Sequence, residues 1–133
     1  MAVERLNPRG LHDPVNNLYA HVVRAAGGAT YRIGGQVPVG AEGHNLFVGD
    51  MPAQINSCYE QVTLVLESVG LGWSDVVHIY TFTTDMDAYL EAEPPIAKSF
   101  FGEAPPASTL VEVSRLVERD WLVEVQVDAV ADV

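Results

Sequence analysis

Polar side chains alternate with apolar ones along two segments near the end of the chain, and these segments contain the residues best suited to chemistry. Residues 107–113 and 122–130 are rich in β-branched residues, which predicts two strands. Their alternating polar positions are Ser108, Glu112 and Ser114 on the first segment and Glu124, Gln126 and Asp128 on the second. Because successive side chains of a strand point to opposite faces, each set is expected to share one face.

An antiparallel hairpin centred near residue 118 would place the two polar sets opposite each other. In that register three pairs face each other: Ser108 and Asp128, Leu110 and Gln126, Glu112 and Glu124. Two facing carboxylates raise the pKa of at least one of them, and such a carboxylate is suited to activating water. We therefore expect these strands to contribute a general base.

Composition restricts the classes of partner. The chain has 133 residues, of which 48% are hydrophobic, so a single domain spanning 1–133 with a packed core is expected. Eighteen acidic and seven basic residues give a formal charge of -11, which repels nucleic acid and anionic membrane surfaces. No apolar run is long enough to cross a membrane. The expected partner is a small molecule or another copy of the chain.

Cysteine and histidine usage predicts neither a disulfide nor a metal site. Cys58 is the only cysteine, so an internal disulfide cannot form, which fits a reducing compartment. The first residues lack a signal-peptide core, and we expect a cytoplasmic protein. His21 and His78 lie outside any ligand-spaced cluster, so no metal is expected.

The order of elements predicts an α+β fold. Residues up to about 17 are rich in turn formers and are expected to form an arm. Strands are expected at 19–25, 30–33, 76–83, 107–113 and 122–130, with helices that begin after Asp50 and Asp85. Gly70 is expected to end the first helix, and Pro94-Pro95 to kink or split the second. The predicted order is ββαβαββ, in one sheet with both helices on one face.

The second face of this sheet has no helix to cover it. Its expected residues include Val76, Tyr80 and Phe82, which are apolar or aromatic. We therefore expect the chain to self-associate through this face.

Several motifs in fixed order resemble the YjgF/RidA family. They include Gly34-Gly35-Gln36 and Pro106-Ala107-Ser108, within the matching segments 19–25, 33–38, 72–77, 82–85, 106–113 and 122–125. The resemblance implies a chorismate-mutase-like domain that assembles as a homotrimer, with ligand clefts between subunits. It also implies hydrolysis of reactive enamine and imine intermediates without a cofactor.

Two residues of this chain match the site that the resemblance implies. The family's cleft tyrosine corresponds to Tyr19, and the glutamate that positions the attacking water corresponds to Glu124. Each has a plain structural alternative: Tyr19 could be ordinary strand packing, and Glu124 could be an exposed carboxylate or could line a trimer axis.

Four other positions depart from the family pattern. The arginine that clamps a substrate carboxylate is replaced by Ser108, and the cysteine two residues later by Leu110. Gly34 stands at a serine position, and Pro94 at an asparagine position. A bidentate arginine–carboxylate contact contributes roughly 1.5–3 kcal/mol, which serine cannot supply. We therefore expect weak activity toward 2-imino carboxylates.

Arg32 is a candidate replacement for the missing cation. It lies two residues before Gly34, a spacing that returns to the same face of a strand, so its side chain could reach the cleft. Alternatively, Arg32 points into solvent or pairs with a carboxylate.

Two functions follow from these residues. In the first, the chain is a hydrolase of an enamine, imine or related reactive metabolite, with Glu124 as the catalytic residue. Its substrate contacts would come from Tyr19, Arg32, Gly34, Ser108, Leu110 and Glu112. In the second, a trimer of the same fold binds a small metabolite without turnover.

Overall fold

The computed structural model describes residues 2–131 and contains six strands and two long helices. The chain runs through β1 (Ala2–Leu6), β2 (Val22–Ala26), β3 (Ala29–Gln36), α1 (Met51–Ser68), β4 (Val76–Thr83), α2 (Met86–Phe101), β5 (Ala107–Glu112) and β6 (Val123–Ala131). Short 3-10 turns at Val15–Asn17 and Trp73–Asp75 precede β2 and β4. The α+β class is confirmed, but the predicted order lacks one strand.

That additional strand is β1, at the start of the expected arm. It pairs antiparallel with β2 in a separate two-stranded sheet, so the prediction of a single sheet is also wrong. The turn formers that indicated an arm lie in the connection 7–21 between these two strands. Tyr19 belongs to this connection, and β2 begins only at Val22.

The predicted hairpin between the last two strands does not form. The four-stranded sheet has the order β3-β6-β4-β5, so β4 lies between β5 and β6. It runs parallel to β5 and antiparallel to β6. The nearly uninterrupted apolar and β-branched sequence of β4 suits a central strand paired on both edges. Glu112 and Glu124 are therefore aligned with different residues of β4, Thr83 and Phe82, and do not face each other.

Both helices begin where the sequence predicts. The Asp50 and Asp85 carboxylates each accept a hydrogen bond at 3.1 Å from a backbone N–H of the first turn. Gly70, with a positive φ of 77°, follows the end of α1. Pro94-Pro95 does not split α2, which continues to Phe101. The carbonyls that lose a helical partner are those of Leu90 and Glu91, on the exposed side of the helix, where water can replace the missing donors.

The core lies between the two helices and one face of the larger sheet. Apolar α1 positions at helical spacing pack on Ile79 and on alternate valines of β6, and all of them are buried: Ile55, Cys58, Val62, Leu66, Val123, Val125 and Val127. Leu90 was expected on the buried side of α2 but is 52% exposed.

The opposite face of this sheet, which we call the outer face, is half-buried in a single chain. Its central residues are His78, Tyr80 and Phe82 of β4 beside Glu124, Gln126 and Asp128 of β6. Val76 was predicted to lie here but is fully buried in the core, because a bulge between Val76 and His78 reverses the alternation.

The Gln54 side chain connects α1 to two loops, and its removal should destabilise the domain. Its amide donates to the carbonyls of Phe47 at 3.2 Å and Asp120 at 2.9 Å, and its oxygen accepts from the Leu122 N–H at 2.8 Å. Gln54→Leu leaves these groups unpaired in a buried site and should lower the free energy of unfolding by about 3 kcal/mol, measured by urea denaturation.

Asn56→Leu is the matched control, because the side-chain partner of Asn56 among residues 2–131 is the exposed Glu60 one turn along α1. Its unfolding free energy should change by less than about 0.5 kcal/mol. Equal effects of the two substitutions would contradict a linking role for Gln54.

Candidate functional site

A pocket of about 440 Å³ opens between the connection before β2, helix α2 and strand β5. Its lining is mostly apolar and includes four polar residues, Asn16, Tyr19, Glu93 and Ser108. The other lining residues are Val15, Leu18, Leu90, Pro94 and Leu110. Three of the sequence-predicted site residues, Tyr19, Ser108 and Leu110, therefore meet in one place. Pro94 joins them, at the position that the resemblance assigns to an asparagine.

Local backbone structure places Tyr19 beside β5. Asn16 and Asn17 both adopt a positive φ of 54°, which asparagine tolerates better than most residues, and the chain turns sharply there. The Ala20 N–H then donates to the Pro106 carbonyl at 3.0 Å and ties this segment to the start of β5. The Tyr19 side chain is half-buried as a result.

Ser108 and Leu110 project from the helix side of β5. They pair with Ile79 and Thr81 of β4, both buried beneath the helices. Because β5 is an edge strand, α2 covers it incompletely and leaves the pocket open. Glu112 shares this face, but its carboxylate accepts a hydrogen bond from the Met86 N–H at 2.9 Å and so supports the start of α2. Glu112 does not line the pocket.

Glu124 lies on the outer face, which corrects the expectation that it shares a face with Ser108. Ser108 is aligned through Ile79 with Val127, whereas the hairpin register would have aligned it with Asp128. A register difference of one residue moves a side chain to the other face of a sheet.

The Glu124 carboxylate packs directly over the backbone of Gly35. A β-carbon at residue 35 would collide with this carboxylate, so any larger residue there would force the Glu124 side chain to move. Burial raises the pKa of Glu124. A half-buried carboxylate with a raised pKa is a stronger base than an exposed one.

Arg32 and Gly34 lie on β3, away from the pocket. The Arg32 guanidinium is 3.6 Å from the Asp128 carboxylate on the outer face, and its side chain is 80% exposed. Gly34 lies at the irregularity between Ile33 and Gln36, where its carbonyl accepts from the Gln36 side chain at 3.1 Å. Within one chain, all the predicted site residues except Glu112 thus form two groups: Tyr19, Ser108 and Leu110 at the pocket, and Glu124, Arg32 and Gly34 on the outer face or on the neighbouring part of β3.

Sequence reasoning missed Glu93, which is the only carboxylate in the pocket lining. Burial raises its pKa, and a hydrogen bond with the Tyr89 hydroxyl opposes that rise. The signal was present, because Glu93 is four residues after Tyr89 and three after Leu90, a spacing that puts it on the same side of α2.

His12 was also missed, because nothing in its local sequence marks it. Its Nε2 is 2.7 Å from the Tyr19 hydroxyl, so the two side chains share a hydrogen bond at the edge of the pocket. The His12 carbonyl is in turn 2.8 Å from Nε2 of His21, which donates to it.

Metal and membrane features can be assessed only for residues 2–131. Within that range, no group of three or more His, Cys, Asp or Glu side chains is arranged to hold a metal ion. In the same range, no helix is both long enough and apolar enough to cross a membrane.

Comparison with known proteins gives consistent matches over most of the chain. The family model described as Endoribonuclease L-PSP matches residues 11–131. A RutC family protein of Pyrococcus horikoshii is 31% identical over 108 residues, which cover 81% of this chain and 82% of that protein. Protein DfrA of Myxococcus xanthus is 31% identical over 113 residues, 85% of this chain and 83% of the relative.

Solved structures of similar fold include YyfB of Yersinia pestis, described as a protein of unknown function of the conserved Rid protein family. It superposes with a TM-score of 0.91 at 27% identity, and the match covers 98% of this chain and 100% of the YyfB chain. A Mycobacterium tuberculosis protein of the YjgF/YER057c/UK114 family has a TM-score of 0.67 at 23% identity. The match covers 98% of this chain and 100% of that protein, and it shows the shared fold alone. With the family model matching nearly the whole chain, this protein belongs to the YjgF/RutC/Rid family, whose model is described as Endoribonuclease L-PSP.

Proposed function

We propose that the chain is a cofactor-independent hydrolase of an enamine, an imine or a related reactive metabolite, with a substrate other than the family's usual 2-imino carboxylates. One observation carries this proposal: the candidate site residues fall into two groups on opposite faces of the sheet. A cleft between copies would join the pocket of one chain to the Gly35–Glu124 surface of the next, as the family resemblance implies.

The outer face supports self-association, and we propose a homotrimer. His78, Tyr80 and Phe82 stay half-buried in a single chain, and Val111 at the neighbouring position of β5 is 39% exposed. The described helices all pack on the other face, so a second copy is the available cover for these aromatic side chains.

In the proposed reaction Glu124 would act as the general base. It would take a proton from a water molecule as the water oxygen bonds to the imine carbon, and would pass that proton to the substrate nitrogen to give a carbinolamine. Glu124 would then move the hydroxyl proton of the carbinolamine to its nitrogen as the C–N bond breaks, so that ammonia leaves and a carbonyl product remains. The hydroxyls of Tyr19 and Ser108 would orient the substrate from the opposite wall. Burial raises the pKa of Glu124, which makes its carboxylate a stronger base than an exposed one.

A binding protein without turnover is the second candidate. Ser108 and Pro94 stand where the resemblance places the carboxylate-clamping arginine and a cleft asparagine, so the pocket could retain a metabolite without performing the family reaction. The family model is described as an endoribonuclease, but two features of this chain argue against RNA cleavage. A formal charge of -11 disfavours a polyanion, and the pocket lining contains neither lysine nor arginine.

We also propose a cytoplasmic location. Cys58 is buried in the core, and burial together with nearby Glu124 raises the pKa of its thiol to about 12. Such a thiol is inert packing, and the chain depends on no disulfide for its stability.

Ammonia release from 2-iminobutyrate generated in place should be slow with the unmodified protein. Ser108→Arg should increase the rate, because a guanidinium at residue 108 supplies the missing carboxylate contact. Glu124→Gln should lower the rate of any imine hydrolysis by about 100-fold or more, the usual contribution of a general base.

Glu118→Gln, in an exposed loop, is the control and should leave the rate unchanged. Turnover by the unmodified protein near the common enzymatic value of about 10 per second would contradict the proposed change of substrate. Full activity of Glu124→Gln would contradict the assignment of the base.

Light scattering should give a particle of three chains, each of 14.4 kDa. Phe82→Lys should dissociate it, because a hydrated ammonium group would replace an aromatic side chain in the proposed contact. Val111→Lys should also dissociate the trimer. Val111 is exposed in a single chain, so a lysine there should not disturb the fold of the monomer.

Leu64→Lys is the matched control, since Leu64 is 66% exposed on α1, away from the outer face. Circular dichroism would establish that each variant is folded. A stable monomer of the unmodified protein would refute both the trimer and the shared cleft.

A further inference from the structure

The pocket has an acidic side chain and no basic one in its lining, which is unusual for a site related to carboxylate-binding clefts. Its polar lining consists of neutral groups from Asn16, Tyr19 and Ser108, together with the carboxyl group of Glu93. Neither lysine nor arginine belongs to the lining. A carboxylate ligand would therefore enter next to a carboxyl group, without a cation to neutralise it.

The basic residues with described partners are engaged elsewhere. Arg5 donates to the carbonyls of Pro105 and Ser74, and Arg115 donates to carbonyls of its own loop. The other three form ion pairs: Arg24 with Glu4 at 2.9 Å, Arg32 with Asp128 at 3.6 Å, and Lys98 with Glu103 at 3.9 Å. None of these five lines the pocket, and the pKa of Glu93 is shifted by burial and by Tyr89 alone, with no contribution from a cation among residues 2–131.

Glu93 is held at the pocket wall by packing behind it. Its neighbour Tyr89 on α2 is almost fully buried and hydrogen-bonds to it, and Tyr59 of α1 lies behind Tyr89. The apolar side chains of Leu90, Leu18 and Leu110 surround the opening. A half-buried carboxyl group that faces an apolar pocket and lacks a counter-cation is stabilised in its ionised form by any cation that enters.

We propose that this pocket binds a ligand bearing a protonated nitrogen, an ammonium or iminium group, which contacts Glu93 while its apolar part packs on Leu90 and Leu110. This inference rests on the proposed function in one respect, since it takes the pocket to be the substrate half of the cleft. It names the substrate class as an imine or amine without a carboxylate. Ser108 agrees with it, because it stands where the resemblance places the arginine that clamps a carboxylate.

The charge state of Glu93 gives this binding a predictable pH dependence. The titratable groups that face Glu93 are Tyr89 on its own helix, Tyr59 of α1 and Tyr19 across the pocket, with His12 behind Tyr19. Burial raises the pKa of Glu93, and a cation requires the ionised form. Affinity for the cation should therefore fall as the pH drops through the pKa of Glu93, and this fall should vanish in Glu93→Gln.

The test compares three probes of equal chain length: n-butylammonium, butyrate and n-butanol. Titration calorimetry at pH 7.5 should show the tightest binding for n-butylammonium, with a dissociation constant on the order of millimolar for so small a ligand. Glu93→Gln should weaken n-butylammonium binding by about tenfold, as expected for loss of one charge-assisted contact in a half-exposed site. The affinity for n-butanol should stay the same.

Glu91→Gln is the matched control, because Glu91 is exposed on the same helix and removes the same charge from the chain. It should leave n-butylammonium binding unchanged. Thermal melting of both variants would establish that they fold. Glu93→Gln should melt no lower than the unmodified protein at pH 7.5, because a carboxylate of raised pKa opposes folding when it is ionised.

Each other outcome overturns the inference. Butyrate binding as tightly as n-butylammonium would contradict the charge preference, and equal effects of Glu93→Gln and Glu91→Gln would contradict the role of Glu93. Absence of binding by both ions would show that the pocket is not a cation site. This experiment measures binding and not ammonia release, so the two proposals can fail separately. If the protein hydrolyses no imine, the pocket can still bind a cation. If the pocket shows no preference for a cation, the protein can still be a hydrolase.

Discussion

The pairing of β4 with β5 on one edge and with β6 on the other sets the face on which each polar side chain lies. Ile79 aligns with Ser108 on one side and Val127 on the other, so Ser108 shares the face of the core. Phe82 aligns with Glu124, which therefore lies on the outer face. One central strand thus separates a pocket on the helix side from a carboxylate on the opposite side. Cooperation between them requires a neighbouring copy.

Local signals predicted the elements well, because the physics that determines them is local. The aspartates that begin both helices and the glycine that follows α1 act through hydrogen bonds and φ angles within a few residues. Strand partners are different. The choice between a β5–β6 hairpin and insertion of β4 depends on contacts between distant residues, and the alternation of polar side chains is compatible with both.

The candidate site shows the same division. Tyr19, Ser108 and Leu110 could be grouped from sequence motifs, and the pocket does contain all three. Glu93 escaped notice because its importance comes from what surrounds it: buried Tyr89 behind, a cavity in front and an absence of basic side chains from the lining. β1 escaped notice because five residues in an otherwise turn-rich region form a strand only when β2 is there to pair with them.

The outer face has a buried carboxylate with incomplete hydrogen bonding. Asp128 is 8% exposed, and its Oδ2 is near Arg32 and the Tyr80 hydroxyl, at 3.6 Å and 3.5 Å. Its Oδ1 has no hydrogen-bond partner among residues 2–131 of one chain. Buried oxygens of this kind normally accept a hydrogen bond. A surface that covers the outer face would therefore have to supply a hydrogen-bond donor as well as apolar contacts.

Proline at residue 94 has consequences for the residue before it. A proline disfavours helical backbone at the preceding position, yet Glu93 remains within a continuous α2. Packing of Tyr89, Ala97 and Phe101 into the core holds the helix on both sides of the proline pair and outweighs that preference. Glu93 and Pro94 therefore lie side by side in the pocket lining on an unbroken part of α2. With serine at residue 108 and no lysine or arginine in the lining, Glu93 is the charged group that the proposed cation would meet in this pocket.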